Sequence, residues 1–242
     1  MTAPQPTMPR TTARRAQNAP TLLAVAHGTR DRAGAATAAA VLDRVRALRP
    51  GLRVEVGYLD LVRPSLDEAL AALDGEVVLV PLLLGAGYHV RVDIPAAVAA
   101  APRVRAGIAP ALGPDPLLAT ALADRLAEAG RPPGDAPVVL AAAGSGDPAA
   151  NADTARTARL LGARLGAPVV PAHLCGPSPT PAEAVAALRA EGHPQVSVAR
   201  YLLAPGFFAR RAADTAACLT SAPLGAHDAV ARLVLRRFST NA

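Results

Sequence analysis

The sequence predicts an α/β protein made of two tandem copies of a doubly wound parallel sheet, with a site in the cleft between them. Three observations predict it. Short runs such as residues 22–26 are apolar throughout, as strands covered on both faces are. Amphipathic helical segments separate these runs, the arrangement of consecutive βαβ units. After a Pro- and Gly-rich stretch the whole pattern begins again.

Residues 1–19 carry Pro, Thr, Arg and Gln without an apolar stretch, so they read as a disordered tail and not as a secretory signal. Residues 22–26 form the first strand and stop at His27-Gly28-Thr29-Arg30-Asp31, where Gly28 permits a sharp turn. Residues 34–49 form a helix with Ala38, Val41, Leu42, Val45 and Leu48 on one face, ended by Pro50-Gly51. A second strand over 53–58 reaches Asp60. Pro64-Ser65 opens a short helix that turns Leu66, Ala69, Leu70 and Leu73 inward. The third strand, 76–84, runs into the glycine-rich loop Gly85-Ala86-Gly87-Tyr88-His89. Asp93 is expected to cap the next helix. A fourth strand over 104–109 and a helix over 115–129 complete the unit.

Residues 131–137 read as a linker between a domain at 20–130 and a second at 138–242. Residues 138–147 repeat 22–31 in outline, 179–188 repeat 64–73, 201–206 repeat 82–87, and Leu224-Gly225 repeats Leu112-Gly113. In this alignment His27 meets Ala143, His89 meets Phe208, and Asp60 meets Cys175. Parallel strands one and three end at one edge, where ligands of open α/β sheets bind. That edge would bring His27 and His89 together. Both imidazoles are missing from the second copy, which argues for chemistry in the first half, with the second as a wall of the cleft.

Composition narrows the partners. The 242 residues are 51% hydrophobic, enough for a sizeable core. Aromatic residues are 2% with no Trp, which speaks against base stacking on nucleic acid. The net charge is +6, carried by arginine alone, and arginine suits carboxylate ligands. Cys175 and Cys218 make neither a disulfide framework nor a zinc site. No run approaches the roughly 18 apolar residues of a membrane span. A soluble cytoplasmic protein is expected, without nucleic-acid or membrane partners.

Two imidazoles can bind Fe2+, Co2+ or Ni2+, more weakly than a four-ligand site does. Imidazole also accepts protons near neutral pH. Metal insertion into a macrocycle needs both functions, because inner N–H protons leave as metal enters.

The segments His27-Gly28-Thr29-Arg30-Asp31, Pro64-Ser65-Leu66 and Pro-Leu-Leu-Leu-Gly-Ala-Gly-Tyr-His-Val-Arg-Val-Asp-Ile-Pro at 81–95 resemble the sirohydrochlorin chelatases of the CbiX/SirB type. The resemblance covers residues 21–130 and, as the degenerate second copy of the long two-domain form, 138–235. It implies a lyase that inserts iron or cobalt into sirohydrochlorin, on the routes to siroheme and cobalamin. It implies no tightly bound cofactor, with Fe2+ or Co2+ as metal substrate and Ni2+ as a further candidate. His27 and His89 would bind metal and accept pyrrole protons. Asp60 stands where the family usually has Glu, as an auxiliary acceptor.

The macrocycle bears eight carboxylates, for which Arg30, Arg63 and Arg91 are candidates, alongside Gly87 and Tyr88 as further substrate-binding residues. Arg32, Arg200, Arg210 and Arg211 lie near the same loops, and Phe207 and Phe208 near the macrocycle face. His173, His193 and His227 read as structural. A monomer with an internal pseudo-dimer is expected.

The residues bear on three other readings. A histidine phosphatase wants arginine before the His-Gly pair, where Ala26 stands. A nucleotide loop at Gly144-Ser145-Gly146-Asp147 lacks the Gly-Lys-Ser/Thr that should follow. A non-catalytic tetrapyrrole or metal carrier on the same fold is the alternative to an enzyme.

Overall fold

The first apolar run forms β1 (Thr21–Ala26), every residue of it buried. The structure is a computed structural model and describes residues 19–242, so the tail expected at 1–19 lies, Ala19 apart, outside the described residues. β1 sits inside a parallel sheet with β2 (Val54–Tyr58), β3 (Gly75–Pro81) and β4 (Val104–Ile108), in the order β2-β1-β3-β4. The same order returns in β5 (Val138–Ala142), β6 (Val169–His173), β7 (Ser197–Tyr201) and β8 (Leu219–Thr220), as β6-β5-β7-β8. The helices between them are α1 (Arg32–Leu48), α2 (Leu66–Ala71), α3 (Ile94–Ala99), α4 (Pro116–Glu128), α5 (Pro148–Leu165), α6 (Pro181–Ala190), α7 (Phe207–Ala213) and α8 (Asp228–Asn241). Among the described residues no helix is long and apolar enough to cross a membrane.

The strands are apolar throughout because each face has its own cover. Leu23 and Val25 of β1 pack outward with Leu66, Leu70 and Ile94. Val139 and Ala141 of β5 do the same with Val185 and Leu188. The opposite faces meet. Leu22 and Ala24 join Leu140 and Ala142 in one core with Leu122, Leu161 and Phe238, so the halves share their largest apolar cluster. α1 lies against α8 and α4 against α5, a pseudo-two-fold exchange of equivalent helices.

Polar contacts repeat the exchange. Arg125 of α4 donates to the Leu224 carbonyl through Nε and Nη2, at 3.1 and 2.9 Å. Its counterpart Arg237 of α8 donates to the Ala111 and Leu112 carbonyls at 3.1 and 3.0 Å. A second pair keeps its place and reverses its signs. Asp115, the cap of α4, is bonded by Arg236 of α8, whereas His227, the cap of α8, has Nε2 at 3.3 Å from Asp124 Oδ2 of α4.

Three elements depart from the sequence expectations. α1 starts at Arg32, because Asp31 Oδ1 accepts the Ala33 N–H at 3.0 Å and caps it there. β3 stops at Pro81, and Leu82 to Leu84 turn to loop contacts: the Leu83 carbonyl accepts Leu112 N–H at 2.8 Å, and the Leu84 carbonyl accepts the Tyr201 hydroxyl at 3.1 Å. The chain after Tyr88 becomes a π-helical turn, His89–Asp93, before α3 begins.

Phe238 fills the shared core at 2% exposure. Phe238→Ala is expected to cost about 3–5 kcal/mol. Chemical denaturation should show one transition shifted to lower denaturant, since neither half keeps a complete core alone. Two separated transitions in the unaltered chain would contradict the shared core.

Candidate functional site

His27 is the first residue past β1, exposed, with its Nδ1 at 3.3 Å from the Gly28 carbonyl. Its own carbonyl accepts the Asp60 N–H at 2.9 Å, which ties it to the neighbouring loop. Gly28 is required there. Its φ is +92°, and a Cβ would fall 1.8 Å from the Asp60 carbonyl oxygen. Gly144 repeats this in the second half, at φ +86° and 1.7 Å from the Cys175 carbonyl oxygen.

β3 lies beside β1, so the loop after it returns to the same edge. There the His27 and His89 rings stand edge to face, 4.8 Å between centroids. His89 Nδ1 is 2.6 Å from Asp93 Oδ2. A carboxylate only accepts, so in the neutral ring Nδ1 carries the hydrogen and the lone pair lies on Nε2. Asp93 therefore does not cap the helix as expected. Its backbone is helical (φ −69°, ψ −45°) and its side chain makes no capping bond, because the π turn carries the helix back to His89. The available signal was the four-residue spacing, which puts His89 and Asp93 on one helical face.

The pair opens on a cleft of about 560 Å3 lined from both halves, with Tyr58 and Gly87 on one side and Leu202, Phe207 and Phe208 on the other. Ala143 also lines the cleft, in the place equivalent to His27. The second wall thus has Ala143 and Phe208 where the first has the two imidazoles. Among the described residues no group of three or more His, Cys, Asp or Glu side chains is arranged to hold a metal ion.

The other candidates divide. Asp60 is exposed and outside the cleft lining, with Oδ1 accepting its neighbour's Leu61 N–H at 2.8 Å. Arg30 and Tyr88 are exposed on the loops after β1 and β3. Arg63 is exposed and paired with Glu68. Arg91 and Arg210 are each engaged across the halves, by Asp147 and Asp31. Arg211 lies over the Phe207 ring, 5.7 Å from its centroid. Arg200 is partly buried in β7, and burial pulls its guanidinium below its ordinary pKa. His227 caps α8 through Nδ1, His193 is exposed, and His173 is buried at the end of β6.

Comparison with known proteins agrees with this architecture. The CbiX family profile matches residues 21–129 and again 137–241. The sirohydrochlorin ferrochelatase of Priestia megaterium is 27% identical over 237 residues, 90% of this chain and 89% of that protein. The structure of SirB from Bacillus subtilis with Fe3+ superposes with a TM-score of 0.79 at 26% identity, covering 92% of this chain and 95% of that one. The cobalt complex of the sirohydrochlorin chelatase SirB from Bacillus subtilis subspecies spizizenii gives 0.73 at 25% identity, covering 92% and 94%. Two profile matches, each over one of two sheets with the same strand order, make this chain a member of the CbiX family that carries the family unit twice.

Proposed function

We propose that this protein is a sirohydrochlorin chelatase, in which His27 and His89 hold the incoming Fe2+ or Co2+ and accept the pyrrole protons. The observation that carries this reading is the pair of imidazoles, 4.8 Å between ring centroids, at a cleft whose facing wall has Ala143 and Phe208 in their place. The activity named for the relatives supplies the substrate class.

The metal is a substrate, so it must be bound and then given up. Two imidazoles, in no cluster of three or more such ligands among the described residues, suit a transient hold, unlike a closed structural site. Asp93 holds the His89 ring through Nδ1 and leaves Nε2 for the metal. Phe207, Phe208 and Leu202 pack on the macrocycle face, and the missing imidazoles in that wall leave metal to arrive from the His27 side alone. As the metal enters, the inner N–H protons leave toward the same imidazoles. Asp60 enters through its backbone, whose N–H anchors His27. Arg30 and Arg63, at the exposed rim, receive peripheral carboxylates.

Anaerobic absorbance of sirohydrochlorin with Fe2+ or Co2+ tests the reading, and the ratio of the two rates begins to assign the metal. The protein is expected to accelerate insertion over the uncatalysed rate. His27→Ala and His89→Ala should each lower the rate at least about 100-fold, the lower end of what a positioned acid–base group contributes. Circular dichroism should stay unchanged. Full activity in either variant would refute the assigned roles. A shifted macrocycle spectrum on mixing, without faster insertion, would make the protein a carrier.

Asp93→Asn tests the orienting carboxylate separately. It should cost about 10–100-fold in insertion rate or metal affinity. An unchanged rate and affinity would remove Asp93 from the mechanism.

A further inference from the structure

Asp31 and Asp147 hold equivalent places, each capping the helix after the first strand of its half. Asp31 Oδ1 accepts the Ala33 N–H at 3.0 Å, and Asp147 Oδ1 accepts the Ala149 N–H at 2.9 Å. A hydroxyl steadies each loop: the Asp31 N–H donates to Thr29 Oγ1 at 3.1 Å, and the Asp147 N–H to Ser145 Oγ at 3.0 Å. The second oxygen of each carboxylate faces the other half. Asp31 Oδ2 is 3.2 Å from Arg210 Nη1, and Asp147 Oδ2 is bonded by Arg91 Nη2. Arg91 and Arg210 follow the third strand of their halves, so the two ion pairs are related by the same pseudo-two-fold axis as the sheets.

The partners of each pair are unequal. The aspartates are fixed by their helices and their side chains are only 30% and 19% exposed, whereas those of Arg210 and Arg91 are 70% and 51% exposed. A guanidinium with that much surface in water has donors to spare for a second carboxylate. Exposed ion pairs also contribute little net stability, so exchange is cheap. Protonation does not release them near neutral pH. The Ala33 N–H and then Arg210 hold Asp31 below the usual carboxylate range, and the Ala149 N–H and Arg91 do so for Asp147. A competing anion can.

We propose that Arg91 and Arg210 are carboxylate-exchange latches: each is held by the other half's aspartate, beside cleft-lining residues such as Ala209 and Ser145, until a carboxylate of the macrocycle takes the aspartate's place. The identity of that polycarboxylate rests on the chelatase reading. Asp31 and Asp147 are then built-in competitors of the substrate. Removing their charge tightens binding, the reverse of what losing a structural ion pair does. Asparagine caps a helix as well as aspartate, so Asp31→Asn and Asp147→Asn delete the charge and keep the cap.

The test is equilibrium titration of metal-free sirohydrochlorin by absorbance, on the full chain at fixed ionic strength. The variants are Asp31→Asn, Asp147→Asn, Arg91→Gln, Arg210→Gln and the double variant Asp147→Asn with Arg91→Gln. Each asparagine variant is expected to lower Kd about 2–5-fold, the worth of an exposed ion pair. Each glutamine variant should raise it. The double variant should match Arg91→Gln alone, because Asp147 competes only through Arg91. KM for the macrocycle in the insertion assay should follow Kd. Asparagine variants with unchanged or higher Kd would overturn the exchange, as would tightening by Asp147→Asn that persists without Arg91. If the unaltered chain binds the macrocycle but inserts no metal, the chelatase reading fails and the same variants still decide the exchange. If no form of the chain binds it, both fall.

Discussion

Burial of the inner faces of two sheets against one shared layer of helices is the interaction on which the rest depends. Leu22 and Leu140, from the first strand of each half, reach the same apolar cluster as Phe238 from the last helix. Fully burying an aliphatic or aromatic side chain of this size contributes about 1.5–3 kcal/mol, and this cluster holds many of them. The docking that results fixes how far apart the strand ends of the two halves lie. The cleft is the space left between those ends, so its shape follows from the core beneath it and not from the loops alone.

Much of this was legible in the sequence, for definite reasons. Two covered faces make a strand apolar throughout, and residues 22–26 and 138–142 show that directly. The repeat aligned His27 with Ala143 and His89 with Phe208, and the strand order then placed the two histidines side by side. What stayed hidden was non-local or depended on helix geometry. Asp93 sits where a cap residue is favoured, and only the π turn reveals that its side chain turns back to His89. The ion pairs of Arg91 and Arg210 could not be read because their aspartates come from the other half of the chain. The alternation that sends Leu22 inward and Leu23 outward is invisible when both are leucine.

Duplication supplies one backbone frame in which the halves can carry different side chains at equivalent places. The glycine turn is kept in both, as Gly28 and Gly144, because the backbone of the next loop passes too close for any Cβ. The cap aspartates and the crossing arginines are also kept in both. The imidazoles are not. The features repeated in both halves are those that build and bridge the cleft, and the feature present once is the one that gives it a direction.

The sign-reversed pair at the helix interface has a consequence for how the halves find each other. Two first halves docked in this manner would set Asp115 against Asp124, carboxylate on carboxylate. Two second halves would set His227 against Arg236, imidazole on guanidinium. Only the mixed arrangement places a base opposite an acid at both positions. The helix interface is thus a matched pair of unlike surfaces, which favours pairing a half with its own chain's other half over pairing it with its twin in a neighbouring molecule.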